Sequence, residues 1–250
     1  MNLGGVVADE QKQQRSKTLA LFDIGAVLLE LDYSTFFREA AKLSADGKSP
    51  EDFKEAYIAA NLEPRFHAGQ MSSGSYLNEL QRLINPGRNL SEEELTALVG
   101  MRYTGAIDEV VEIKRRAHEA GYAVGLFSTT CELDVRIFNA RYPEMMETFR
   151  PSNPRIFSFN AGSCKPEPPM YQRVQEFGFE RVIFIDDKPS HIRAGVEEFG
   201  WKGILFTPYV DQAEAMRAVH SDTTMPQKDF RVADSVGELI DALRCFGVEV

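Results

Sequence analysis

The sequence predicts an α/β protein, a parallel sheet covered by helices on both faces, with a small all-helical domain inserted after the first strand. Three observations carry this prediction. Short apolar runs at Thr18–Phe22, 123–127 and 182–185 read as strands, each ending in polar or acidic residues. Segments of helical periodicity stand between them, and that alternation argues for βαβ units. The stretch 33–107 differs, because it holds helical patterns and turns with no convincing strand.

Taken in order, residues 1–17 are mostly polar and read as a mobile tail. The strand Thr18–Phe22 runs into Asp23, Ile24 and Gly25, where glycine permits a sharp turn. Four helices are expected in the inserted block, at 36–43, 50–60, 75–84 and 91–99. The last opens Ser91-Glu92-Glu93-Glu94, a capping box in which serine and the third glutamate satisfy free backbone N–H groups. A helix at 110–120 is closed by Gly121, and others follow at 169–177 and 192–199, the latter closed by Gly200. After a polar stretch, 210–228, an edge strand at Phe230–Ala233 and a closing helix at 236–243 complete the chain. The expected organisation is a tail (1–17), an α/β domain (18–32 with 108–250) and a helical domain (33–107).

At 250 residues, 43% hydrophobic and 26% charged, the chain can bury a sizeable core without disulfides or a structural metal. A formal charge of −10 argues against nucleic acid and anionic membranes as partners, since both rest on surplus Lys and Arg. No run approaches the ~18 apolar residues of a membrane span. Cys131, Cys164 and Cys245 are widely separated and lack CxxC spacing, which suggests reduced thiols in a cytoplasmic protein. Composition leaves the oligomeric state open.

In an open parallel sheet the ligand crevice lies beyond the carboxyl ends of the strands, so the polar strand endings should converge there. Asp23, in a turn where N–H groups can face an anion, is a candidate nucleophile toward phosphorus. Hydroxyls of Ser128 and Thr129, after the strand at 123–127, are placed to hold phosphate oxygens. Lys165, in a loop-like segment, can neutralise a transferring group. Asp186 and Asp187 end an apolar strand side by side, and their repulsion would be relieved by a hard cation such as Mg²⁺. Each alone has an ordinary reading as turn, cap or solvated residue.

In chain order, Asp23, Ser128, Lys165 and the Asp186-Asp187 pair resemble the four motifs of the haloacid dehalogenase-like superfamily, whose core is Rossmann-like and whose helical cap is inserted where the helical block stands here. Within that block Arg65-Phe66-His67-Ala68-Gly69-Gln70-Met71 resembles caps of the sugar phosphatase branch, notably the glucose-1-phosphate phosphatase-like proteins. The resemblance implies a magnesium-dependent phosphatase acting on a small phosphoester, a sugar phosphate, through an aspartyl-phosphate on Asp23. It implies that Ser128, Thr129 and Lys165 bind phosphoryl oxygens. It also implies that Asp23, Gly25 (by its carbonyl), Asp187 and Asp186 (directly or through water) hold Mg²⁺, and that His67 contributes to specificity. Two departures stand out. Gly25 occupies the place of the usual acid-base Asp, and His191 stands where Asp or Asn is common. Together they keep a non-catalytic binding or regulatory protein as an alternative; a metal-independent 2-haloacid dehalogenase is a further one.

Overall fold

The computed structural model describes residues 15–85, 87, 89–209, 225 and 228–250; most of the expected tail and of the polar stretch 210–228 lies outside these. The strands are β1 (Thr18–Phe22), β2 (Leu29–Leu31), β3 (Tyr103–Ala106), β4 (Ala123–Ser128), β5 (Arg155–Phe157), β6 (Arg181–Asp186), β7 (Lys202–Phe206) and β8 (Phe230–Ala233). Six of them form one sheet in the order β5-β4-β1-β6-β7-β8, with every neighbouring pair parallel.

Strands buried on both faces must be apolar at nearly every position. Alternate residues of β1 accordingly serve two cores. Leu19 and Leu21 join Val182, Phe184, Tyr171 and Ile192 on one face, while Ala20 and Phe22 join Val124, Ile183 and Ile185 on the other. Helices from 108–119, 132–141 and 236–245 cover the second face, and those from 168–175 and 189–199 cover the first. This is the layered architecture the sequence predicts, down to the edge strand β8. Among the described residues no helix is long and apolar enough to cross a membrane.

Among its described residues the inserted block holds five helices: α1 (Tyr33–Lys42), α2 (Pro50–Ala59), α3 (Leu62–His67), α4 (Ser73–Ile84) and α5 (Glu92–Gly100). The capping box of α5 is formed, with Ser91 N–H donating to Glu94 at 2.7 Å and Glu94 N–H to Ser91 Oγ at 3.2 Å. Two expectations for 33–107 need correction. The short α3, with Pro64 inside it, is a helix that periodicity over six residues cannot register. The block also contains a strand, β3, which pairs antiparallel with β2 through a register shift at Glu30/Leu31. Tyr-Thr-Gly-Ala has one large apolar residue and no alternation long enough to announce it.

The helical block touches the sheet domain closely at Gly69. A Cβ there would lie 2.4 Å from the backbone oxygen of Phe159, in the short helix Ser158–Ala161, and Gly69 has φ of +70°. Only glycine satisfies both conditions at no cost. Gly69→Ala is therefore expected to lower stability by about 1–3 kcal/mol, measured by denaturant unfolding. An unchanged midpoint would show that this contact yields freely.

Candidate active site

The register of the three central strands assembles the site. Phe22 lies beside Leu126 of β4 and Ile185 of β6, so Asp23, Ser128 and Asp186 emerge at neighbouring carboxyl ends. The Asp23 N–H donates to the Ile185 carbonyl at 2.9 Å, which holds the turn against β6. Lys165 reaches in from the loop preceding helix Pro168–Gln175. Its buried ammonium lies 3.0 Å from Asp23 Oδ1 and donates to Asp186 Oδ2 at 2.5 Å and to the Phe127 carbonyl at 2.9 Å. Burial alone would lower the affinity of this lysine for its proton. Asp186 and Asp23 outweigh burial and hold it above the ordinary lysine value.

Asp23, Gly25, Ser128, Thr129, Asp187 and His191 line one side of a cavity of about 370 Å³. The predicted core residues are thus brought together, with distinctions among them. Thr129 Oγ1 accepts the Lys165 N–H at 3.1 Å and so anchors the lysine loop. Asp186 is fully buried and does not itself line the cavity. Its oxygens accept from Lys165 Nζ, from the Lys188 N–H at 2.8 Å and lie 3.0 and 3.1 Å from His191 Nδ1. Against its burial, His191 and Lys165 keep Asp186 ionised well below the usual carboxylate range. Asp187 has the opposite environment. Burial, then Asp186 and Asp23, push its pKa well above the ordinary value.

Asp23, Asp186 and Asp187 each offer an oxygen within 4.8 Å of the others. Asp23 Oδ1 is buried with an ion-pair contact but no hydrogen bond. A crowded carboxylate that resists ionising beside another with spare acceptor capacity fits a hard divalent cation such as Mg²⁺.

The other side of the cavity comes from the inserted block and its approach: Leu31, Tyr33, Glu63, Pro64 and His67. His67 is therefore at the cavity, as the sequence suggested. Glu63 and Tyr33 had no signal in the sequence, since nothing in a lone glutamate of a six-residue helix marks it. Gly25 offers no side chain, and the space beside it is taken by Leu31, whose Cδ1 lies 3.0 Å from where a Cβ would stand. Behind this wall Arg102 is buried, donating to Glu63 Oε1 at 2.5 Å, Asp134 Oδ1 at 2.8 Å, the Tyr103 hydroxyl at 3.0 Å and the Val99 carbonyl at 3.1 Å. His67 Nε2 lies 3.5 Å from Asp134 Oδ2.

A parallel sheet with a helical block over its carboxyl edge, and four charged side chains at that edge, define the haloacid dehalogenase-like fold, and this chain has that fold. Solved structures bear this out. The HAD family enzyme BT-2542 from Bacteroides thetaiotaomicron superposes with a TM-score of 0.65 at 17% identity, over 81% of this chain and 99% of that one. The same enzyme has been solved in complex with magnesium and inorganic phosphate. L-2-haloacid dehalogenase from Xanthobacter autotrophicus, with chloropropionic acid covalently bound, matches at a TM-score of 0.57 and 14% identity, over 92% and 98% of the two chains. No family model matches the chain, and no curated protein matches it by sequence.

Proposed function

We propose that the protein is a magnesium-dependent hydrolase of the haloacid dehalogenase-like superfamily that removes phosphate from a small metabolite, a sugar phosphate, with Asp23 as nucleophile. The observation that carries this reading is the ammonium of Lys165 held between Asp23 and Asp186, at a cavity that Asp187 also enters. Asp187, Asp23 and the Gly25 carbonyl are assigned to Mg²⁺, with Asp186 acting behind them to position Lys165 and His191. When bound, Mg²⁺ supplies positive charge against the transferring phosphoryl group. A carboxylate oxygen of Asp23 attacks phosphorus as the bond to the leaving oxygen breaks, giving an aspartyl-phosphate that water then cleaves. Lys165 and the Ser128 hydroxyl bind phosphoryl oxygens and stabilise the charge that grows on them. With Gly25 and Leu31 where an acid would be useful, general acid help worth ~10²–10⁴ is not available from that position. A leaving group that departs easily suits such a site.

The deciding assay is phosphate release from a panel of sugar phosphates, nucleotides and other phosphoesters, with Mg²⁺ and with chelator. Metal-dependent release from a few compounds supports the reading, and silence from folded protein across the panel favours a non-catalytic phosphate-binding role. Chloride release from 2-chloropropionate without metal would favour dehalogenation instead.

Metal binding has its own signature in stability. Because Asp187 holds its proton more tightly folded than unfolded, its contribution is present below the ordinary carboxylate value and is lost as pH rises through the raised folded value. A cation must displace that proton at low pH and meets a free carboxylate at high pH. Mg²⁺ at about 100 times its Kd should add about 2.7 kcal/mol of unfolding free energy near neutrality and progressively less on acidification. Thermal unfolding with and without Mg²⁺ across pH checks this, and Asp187→Asn should remove the increment.

A further inference from the structure

We infer that Glu63, braced by Tyr33 and Arg102 and flanked by His67, selects the leaving group, and that this group is small, uncharged and hydroxylated. The inference rests on the phosphatase reading and adds which residues read the rest of the ester. Glu63 and His67 stand four residues apart on α3, hence on one helix face, and both line the cavity opposite Asp23 and Asp187. Oε1 of Glu63 is already taken, accepting from Arg102 at 2.5 Å and from the Tyr33 hydroxyl at 2.8 Å. The carboxylate is thereby fixed in place, while its side chain keeps 22% of its surface exposed.

Charge decides what this carboxylate accepts. Arg102, 2% exposed, faces both Glu63 and Asp134, and the His67 ring lies 3.9 and 3.5 Å from the same two carboxylates, so the positive groups of this wall are already engaged. An anionic leaving group would lie against the Glu63 carboxylate with no unengaged cation on that wall to offset it. Lys188, which does line the cavity, is exposed and adjoins Asp187 on the phosphate side. A cationic leaving group would lie against a carboxylate that already has a guanidinium 2.5 Å away. Neutral hydroxyls meet neither penalty, and they donate to carboxylate oxygens in strong charge-assisted hydrogen bonds. Size sets a further limit. A cavity of about 370 Å³, shared with the phosphoryl group, is near the lower end of small-molecule sites.

The test compares kcat/KM of the Mg²⁺-loaded protein and of Glu63→Gln on four esters: a hexose monophosphate, its bisphosphate, phosphocholine and 2-methoxyethyl phosphate, whose alkoxide is close to a sugar's in leaving ability but carries no free hydroxyl. The wild-type protein should prefer the hexose monophosphate to each of the other three by about tenfold or more, and Glu63→Gln should erase about tenfold of its preference over 2-methoxyethyl phosphate. Tyr33→Phe removes only the bracing hydroxyl and should move the same ratio in the same direction, which keeps the test usable if Glu63→Gln does not fold. An unchanged ratio in a folded variant, or wild-type preference for the bisphosphate, phosphocholine or 2-methoxyethyl phosphate, overturns the assignment. Absence of turnover on all four, with turnover elsewhere in the broad panel, overturns this inference alone; silence across that whole panel overturns the phosphatase reading as well.

Discussion

Asp23→Asn is expected to lower Mg²⁺-dependent phosphate release by at least about 10⁴-fold while leaving the fold intact. The amide keeps the shape of the carboxylate, and the turn that carries it is held by backbone bonds, including the Asp23 N–H to the Ile185 carbonyl. What disappears is the nucleophilic oxygen and the negative charge 3.0 Å from Lys165. Single-turnover phosphate release, with thermal unfolding as the fold control, is the measurement. Metal-dependent turnover retained in the variant would remove Asp23 from the chemistry.

Arg102→Leu should produce the largest loss of stability, about 3–5 kcal/mol, because it leaves Glu63 and Asp134 facing each other without their shared cation. Burial opposes ionisation of Asp134, yet Arg102 and then His67 hold its pKa well below the usual range. Removing the guanidinium also strips the cation from the faces of Tyr33, Phe36 and Tyr103, whose ring centres lie 5.2 to 5.8 Å from it. For a chain of this size the loss corresponds to a fall in Tm of roughly 6–20 °C. A Tm within a degree or two of wild type would mean that the network contributes specificity of packing and little stability.

The parallel sheet was legible because its central strands are buried on both sides. Runs such as Leu19-Ala20-Leu21-Phe22 and Val182-Ile183-Phe184-Ile185 cannot be written with polar residues. The residues of the phosphate end were legible for a related reason. Asp23, Ser128 and Asp186 each follow an apolar run directly, so their place at a strand end is a local property of the chain. Lys165 lacked such a marker, since it stands in a loop-like segment and follows no apolar run. The opposite wall was mostly hidden. Glu63, Tyr33, Arg102 and Asp134 come from four separate elements, and their partnership exists only after the helical block has docked. The antiparallel pairing of β2 and β3 escaped notice because its strands have three and four residues, too short for a period of two to show, and lie far apart in the chain. His191 was ambiguous between the site and a helix start. It is both, being in the first turn of helix Pro189–Phe199 with its ring against Asp186.

The apolar cluster on one face of the sheet does not stop at the sheet. It runs from Phe22 and Ile185 through Leu29 and Tyr103 to Phe36, Phe53, Phe66 and Leu80 of the helical block. Two bodies with separate cores melt in two steps; bodies that share one core lose their solvent-shielded surface together. The helical block and the sheet are therefore expected to unfold in a single calorimetric transition. Any swing of the block that admits substrate must pivot about its apolar seam, since prying the seam apart would begin to unfold both halves at once.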